Sequence, residues 1–157
     1  MTTSLLQRTL DWLESEGVAV EHRRHAEATS SEHISELRGE PLSHGCKALL
    51  MKIRGELTVV AVRTDRRTDN GLVRRQLRSQ KLRFARPEEL EALGLVRGRI
   101  PPFGRPLLPF RLVADTGLLD VDVVAFTAGT STDSLLISTE DWARVAQPEF
   151  FSLVKSR

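Results

Sequence analysis

The chain has 157 residues, of which 40% are hydrophobic and 28% charged, and its formal net charge is +2. This balance is typical of one globular domain and excludes a disordered chain. No apolar run approaches the roughly 20 residues that cross a bilayer, the first residues are too polar for a secretory signal, and a single cysteine, Cys46, excludes an internal disulfide. We therefore expect a cytoplasmic protein with one domain over residues 1–157, and neither a membrane protein, a secreted scaffold nor a cysteine-rich zinc module.

Hydrophobic periodicity predicts helices and strands interspersed along the chain. Leucines at helical spacing follow a possible cap at Thr3 or Ser4 and stop at Gly17, and two apolar runs joined by Arg54-Gly55-Glu56 predict a hairpin. In chain order, we expect a helix over 4–16, a strand over 18–22, a helix from Ser30 or Ser31 to Arg38, strands over 46–53 and 57–63, helices over 70–80 and 87–93, strands over 111–114, 121–127 and 134–138, and a helix over 139–145. The pattern favours a single α/β domain, with a mixed, mostly antiparallel sheet curled toward a barrel and surrounded by helices.

Positive charge is concentrated in residues 63–105, which contain twelve basic and five acidic side chains and so carry a local charge of +7. Such an excess attracts a polyanion, and eleven of the twelve are arginines, which can hold a phosphate with two parallel hydrogen bonds. The helix expected over 70–80 presents Arg74, Arg75 and Arg78 outward. These three are candidate contacts to nucleic acid, and the alternative is a solvated arginine-rich surface.

The four histidines and Cys46 form no motif for a metal or a nucleophile. The chain has neither Cys-x-x-Cys nor His-Glu-x-x-His spacing, no Gly-x-Ser-x-Gly elbow and no glycine-rich phosphate loop. Cys46 lies in an apolar strand, where a free cysteine is usually a small buried hydrophobe. We expect no metal and no cofactor, and an enzyme with this sequence would act through positioning and electrostatics.

Two segments stand out from this background. Lys47 is predicted on the apolar face of its strand, where it must reach solvent or meet an anion, whereas Lys52 on the other face fits a solvent-facing lysine. Residues 98–104 read Gly-Arg-Ile-Pro-Pro-Phe-Gly, a stiff segment with two apolar side chains, Ile100 and Phe103. This segment either holds backbone N–H groups toward an oxyanion or packs Ile100 and Phe103 into the core.

Together with other segments in the same order, these two resemble the YbaK/ProX-like trans-editing deacylases, the free-standing relatives of the bacterial prolyl-tRNA synthetase editing domain. The resemblance covers about residues 22–145. The matching segments are His-Ala-Glu-Ala-Thr-Ser-Ser-Glu at 25–32, Gly-Cys-Lys-Ala-Leu-Leu at 45–50, Lys-Leu-Arg-Phe-Ala at 81–85 with Glu-Glu-Leu at 88–90, the segment 98–104, Asp115, and Phe-Thr-Ala-Gly at 126–129.

The resemblance implies hydrolysis of the ester that joins a wrong, small amino acid such as Ala, Ser or Cys to tRNA, with groups on the substrate in place of a protein nucleophile. It places Lys47 against the terminal phosphate or ribose of the tRNA, and the backbone of Gly98 to Pro102 against the aminoacyl carbonyl. Arg99 and Pro101 depart from the small polar residues usual in the family's loop. The implied substrate-binding positions are His25, Thr29, Arg99, Ile100, Pro101, Phe103, Gly129 and Thr130.

The implied partner is aminoacylated tRNA, bound in part through Arg74, Arg75 and Arg78. Two alternatives remain open at this point: a non-catalytic tRNA-binding module with the same fold, and a protein that docks on an aminoacyl-tRNA synthetase. The oligomeric state and the identity of the amino acid are also open.

Overall fold

A computed structural model describes residues 3–155, which form five α-helices and eight β-strands. The helices are α1 (Leu5–Ser15), α2 (Ser31–Arg38), α3 (Asn70–Gln76), α4 (Pro87–Ala92) and α5 (Thr139–Ala146). The strands are β1 (Glu21–Arg24), β2 (Cys46–Ile53), β3 (Glu56–Arg63), β4 (Leu82–Phe84), β5 (Arg111–Asp115), β6 (Val123–Phe126), β7 (Asp133–Ser138) and β8 (Glu149–Phe151). No helix in this range is long and apolar enough to cross a membrane.

Short polar side chains set the helix starts, as the sequence predicts. Ser4 Oγ accepts a hydrogen bond from the backbone N–H of Gln7 at 3.1 Å, and Ser30 Oγ accepts one from His33 at 3.0 Å. Helix α2 ends at Gly39, whose φ of 75° is the left-handed conformation that glycine adopts most easily. These caps confirm the predicted first and second helices to within a residue or two.

The strands form two open sheets, one with the order β1-β7-β6 and the other with the order β4-β2-β3-β5-β8. Four of the six strand pairings are antiparallel, and the pairs β3–β5 and β5–β8 are parallel. An isolated parallel bridge between Gly45 and Ala125 joins the two sheets. The prediction of a single α/β domain with a mixed, mostly antiparallel sheet is confirmed, and the curvature leaves the sheets unclosed.

The hairpin β2–β3 divides the interior into two hydrophobic clusters. Residues Cys46, Ala48 and Leu50 face the larger cluster, which contains Phe103, Phe126 and Trp142. The alternate residues Met51 and Ile53 face the smaller one, which helix α3 covers. Arg54 and Gly55 both have positive φ, as a two-residue turn of type I′ requires.

Several predicted boundaries were wrong. The first strand begins at Glu21 rather than residue 18, because Val18 turns back from α1 into the larger core. Helix α3 ends at Gln76 rather than Gln80, since Arg78 has a left-handed φ of 53°. The three-residue strands β4 and β8 were not predicted. Both are edge strands that are defined by pairing with a neighbouring strand rather than by a sequence pattern of their own.

Candidate functional site

A cleft of about 350 Å³ opens where the two sheets meet. Beyond the bridge at Ala125, strand β6 continues to Thr127, whose Oγ1 donates a hydrogen bond to the carbonyl of Gly98 at 3.2 Å. This contact brings the segment 98–104 against the end of β6. The residues that line the cleft are Ala28, Thr29, Ser30, Ser31, Ile34, Arg97, Gly98, Arg99, Thr127, Thr130 and Ser131.

Buried side chains fix the segment 98–104 from behind. Phe103 is fully buried between Trp12 and Phe126, with ring centroids 5.2 and 5.4 Å apart in edge-to-face geometry. The indole N–H of Trp142 donates to the carbonyl of Pro102 at 3.0 Å. Ile100 and Pro101 are buried as well. The side chains of these four loop residues, Ile100 to Phe103, therefore serve the core, while Gly98 and Arg99 line the cleft.

Where this segment lines the cleft, one backbone N–H group, that of Gly98, has no partner among residues 3–155. The N–H of Arg99 donates to Val96, that of Phe103 donates to Pro101, and the two prolines have none. Within residues 3–155, no acceptor lies in hydrogen-bonding reach of the N–H groups of Gly98 and Ile100. Ile100 is buried, whereas Gly98 is exposed and has a left-handed φ of 84°. The Gly98 N–H can therefore donate to a bound carbonyl oxygen.

Lys47 lies close to this point on strand β2. It is paired with Val62 across the hairpin, and the parallel bridge of Gly45 with Ala125 puts the side chains of Lys47 and Thr127 on the same side of their strands. Its neighbour on that face, Leu49, lines a small cavity together with Arg97 and Gly98. Lys47 itself shares its face of the sheet with Met51 and Ile53, and its side chain is not part of the cleft wall.

The electrostatic surroundings of Lys47 favour an anion. Burial lowers the pKa of its ammonium group, and the charge of Arg67 lowers it further. No carboxylate among the described residues opposes this effect. A half-buried lysine beside another cation gains from a bound negative charge.

His25 lies behind the cleft wall in a directed chain of hydrogen bonds. Its Nδ1 lies 2.8 Å from the carbonyl of Ala26, which can only accept, so Nδ1 carries the proton and Nε2 accepts from Ser134 Oγ at 2.8 Å. The buried guanidinium of Arg38 donates through Nε to the same Ser134 oxygen at 2.9 Å. His25 therefore connects the loop after β1 to Ser134 of β7 through a side-chain hydrogen bond.

Thr29 and Thr130 both line the cleft, and each is held by a neighbour. The Thr29 N–H donates to Nδ1 of His33 at 3.1 Å, and Thr130 Oγ1 donates to Asp133 at 3.0 Å. Burial is the largest single effect on the pKa of the Asp133 carboxyl and raises it, but the hydrogen bonds with His22 at 2.6 Å, Thr132 and Thr130 together bring this pKa below its usual value. Gly129 ties this wall to the segment 98–104, because its N–H donates to the carbonyl of Arg99 at 2.7 Å.

The candidate RNA-binding residues lie on another part of the surface. Arg74, Arg75 and Arg78 are exposed along α3 and the turn after it, where they line a shallow groove of about 530 Å³ with Gly71 and Ser79. Helix α3 rests on the same face of the sheet as Lys47. The arginines therefore lie on the face of the five-stranded sheet that carries Lys47.

Sequence reasoning missed several residues of the cleft. Arg97 lies at its mouth, and Thr127, Ser30, Ser31 and Ser131 add hydroxyl groups to its walls. The serines and threonines occur in two short runs, 29–31 and 130–132, which read as ordinary loop residues until the fold brings them together. The only available signal was their position next to segments that match the family.

Neither a metal centre nor a thiol nucleophile is present among residues 3–155. No group of three histidine, cysteine or acidic side chains could hold a metal ion there. Cys46 is buried, and burial raises the pKa of its thiol to about 12. The thiol is therefore protonated at neutral pH and faces the core rather than the cleft.

Comparison with known proteins identifies the architecture around this cleft. Residues 25–145 match the aminoacyl-tRNA editing domain family. The chain belongs to that family. Over 150 residues it is 34% identical to proteins named multifunctional Ser/Thr-tRNA deacylase ProXp-y from Escherichia coli strains K12 and O157:H7, a match that covers 91% of this chain and 89% of each relative. The expectation of an aminoacyl-tRNA deacylase, an ester hydrolase, is confirmed at this level.

Solved structures share the fold at low sequence identity. A structure described as a candidate trans-editing enzyme for prolyl-tRNA synthetase matches with a TM-score of 0.81 and 21% identity, covering 99% of this chain and all of the other. A scaffold protein designed to present a linear epitope matches with a TM-score of 0.85 and 18% identity, with the same coverage. These likenesses confirm the fold of the editing domain.

Proposed function

We propose that this protein is a trans-editing enzyme of the cytoplasm that hydrolyses the ester between a small amino acid and tRNA. One observation carries the proposal: Gly98, whose N–H has no partner among residues 3–155, lines a cleft in which six of the eleven lining residues carry a hydroxyl group. The fixed amide supplies the hydrogen-bond donor that ester hydrolysis needs. The hydroxyl groups suit a small, polar amino acid.

The proposed reaction uses water as the nucleophile. The Gly98 N–H binds the carbonyl oxygen of the ester, and this contact strengthens as the oxygen becomes negative in the transition state. A water oxygen attacks the carbonyl carbon, and the bond from this carbon to the ribose oxygen breaks. The ribose oxygen takes up a proton, and the amino acid leaves as a free acid. The protein positions the groups and contributes no covalent intermediate, in keeping with the buried Cys46.

Lys47 has the role of an anchor in this proposal. Its ammonium group would bind the terminal phosphate or ribose of the acceptor end, because it is half-buried and has no carboxylate partner among residues 3–155. Pro102 supports the loop through its carbonyl, whereas Thr29, Arg99 and Thr130 would border the amino acid. His25 and Gly129 would hold the two walls in place.

The proposed substrates are tRNAs charged with Ser, Ala, Cys or Thr. The relatives from Escherichia coli are named for action on Ser- and Thr-tRNA, and a cleft of about 350 Å³ shared by the amino acid and the end of the tRNA favours a small side chain. Arg74, Arg75 and Arg78 would bind the acceptor stem, since they are exposed and lie on the face of the sheet that carries Lys47. A synthetase that presents the mischarged tRNA is a further proposed partner.

The test is a panel of deacylation rates on tRNAs charged with Ser, Thr, Ala, Cys, Leu and Phe. We expect hydrolysis of the first four, fastest for Ser, and rates near the uncatalysed background for Leu and Phe. Equal rates on the large apolar esters would contradict the small cleft. Binding of tRNA without any hydrolysis would favour the non-catalytic module instead.

A further inference from the structure

An exposed aromatic side chain stands beside the cleft and is not used by the proposed mechanism. Phe84, the last residue of β4, is 43% exposed although it lies between a core strand and helix α4. The guanidinium carbon of Arg97 lies 5.5 Å from the centre of its ring, a cation–π distance. The same Arg97 lines the cleft. The pair therefore presents a flat aromatic and cationic surface at the cleft mouth.

The register of the sheet fixes the face on which Phe84 lies. Phe84 is paired with Met51, so its side chain lies on the face that also carries Leu49 and Lys47. A cavity of about 40 Å³ is bordered by Phe84, Leu49, Arg97 and Gly98 together. Phe84 and Gly98 thus border the same small cavity.

Several cations lie along the edge strand that carries this ring, with Lys52 and Arg83 on its opposite face. Strand β4 is an edge strand flanked by Lys81 and Arg86, which line a groove of about 490 Å³ with Lys52 and Arg83. Arg83 is already paired with Glu89 at 2.6 Å, and this contact lowers the pKa of Glu89 to about 2. Lys52, Lys81 and Arg86 have exposed or half-exposed side chains. Aromatic rings among such cations are the arrangement that binds single-stranded nucleic acid.

We infer that Phe84 and Arg97 form a stacking platform for one base of the unpaired acceptor end of tRNA, next to the base whose ribose carries the amino acid. Lys81 and Arg86 bind the phosphates on either side of the stacked base. The ligand is a single-stranded RNA end, recognised by the face of its base rather than by its edges. This inference rests on the proposed function, because the same RNA end must reach the Gly98 amide.

The test uses an RNA minihelix that ends in an unpaired CCA sequence, with the fluorescent base pyrrolocytosine in place of each cytosine in turn. We expect binding of the whole protein to quench one of the two probes, because stacking quenches this base. Phe84→Ala should abolish the quenching and weaken binding about 5- to 100-fold, as removal of one stacked base does. Phe84→Trp should retain both the quenching and the affinity of the wild type. Leu119→Ala, which truncates a side chain that is 53% exposed on another element, is the control and should change neither.

A salt series separates stacking from charge. Phe84→Ala should leave the dependence of affinity on salt unchanged, whereas Arg97→Gln should lower its slope by about one. Unchanged quenching and affinity in Phe84→Ala, with wild-type protein that hydrolyses Ser-tRNA, would overturn the platform and leave the proposed function standing. Wild-type protein that binds the minihelix and quenches the probe but hydrolyses no ester would instead contradict the proposed function alone.

Discussion

The position of the Gly98 amide depends on residues that never touch the cleft. Trp142 is fully buried on α5, yet its indole N–H binds the carbonyl of Pro102, four residues beyond Gly98. Phe103 is held between two other aromatic rings. These buried contacts hold the loop rigid, and the position of the Gly98 N–H donor is therefore fixed before the substrate binds.

Trp142→Phe tests this support. The substitution removes the N–H donor and leaves the Pro102 carbonyl buried without a partner, so we expect unfolding free energy to fall by about 1 to 3 kcal/mol. Activity measured well below the unfolding temperature should also fall, because the loop loses one anchor. Urea unfolding gives the first quantity and Ser-tRNA deacylation gives the second. A variant with lower stability and unaltered kcat/KM would show that the loop does not need this bond.

Cys46 offers a second test at a single residue. Since burial raises the pKa of its thiol to about 12, only about one molecule in ten thousand carries a thiolate at pH 8. We expect the native protein to resist alkylation by iodoacetamide and the unfolded protein to react readily. Cys46→Ala should keep deacylation within about twofold of the wild type when both are folded. Rapid alkylation of native protein with loss of activity would indicate a catalytic thiol.

At the scale of the elements, capping residues and apolar alternation carry most of the information in the sequence. Ser4, Ser30 and Gly39 bound α1 and α2 through local hydrogen bonds, so their positions could be predicted from a few neighbouring residues. The hairpin β2–β3 is equally local. The edge strand β4 depends on pairing with β2, some thirty residues away in the chain, and its three residues have no pattern of their own.

Helix α3 is the element whose charge is proposed to bind RNA. Replacing Arg74, Arg75 and Arg78 by Glu should weaken tRNA binding at least tenfold near 0.1 M salt and reduce the salt dependence, because three phosphate contacts are lost. Far-UV circular dichroism should be unchanged, since all three side chains are exposed. Binding is measured by fluorescence anisotropy over a salt series.

Two controls separate a local contact from the effect of total charge. The variant with glutamine at the same three positions should lose less affinity for tRNA than the glutamate variant. Charge reversal of Arg105 and Arg144, exposed on other elements, should weaken binding less per charge. Equal losses per charge in both surfaces would remove α3 from the RNA-binding face.

At the scale of the whole molecule, the cleft exists only because two sheets meet. One wall comes from the start of α2, another from the chain between β6 and β7, and the third from the segment 98–104. The resemblance of separate segments to a known family predicted Lys47 and Gly98 as partners in one site. It also predicted Thr29 and Thr130 on the cleft walls. The other hydroxyl-bearing residues and Arg97 were not predicted as site residues, because residues 29–31 and 130–132 approach each other only in the folded chain.

The central claim is that Lys47 and the cleft form one site of ester hydrolysis. The most direct measurement is kcat/KM for Ser-tRNA with Lys47→Ala, compared with Arg144→Ala. Arg144 is exposed and donates a hydrogen bond to the carbonyl of Glu16, at the C-terminal end of α1. The cleft wall at Gly129 lies next to Leu5, at the N-terminal end of the same helix. Arg144 is therefore a surface cation remote from the cleft, whereas Lys52 is not a suitable control because it lies beside Lys81 and Arg83.

We expect kcat/KM for Ser-tRNA to fall about 10- to 100-fold in Lys47→Ala, because the variant loses a charge-assisted contact worth roughly 1.5 to 3 kcal/mol. The kcat/KM of Arg144→Ala should stay within about threefold of the wild-type value. Thermal unfolding of both variants should match the wild type closely, because neither change opens a core cavity. Equal, small effects of the two substitutions on Ser-tRNA hydrolysis would place Lys47 outside the site and contradict the account.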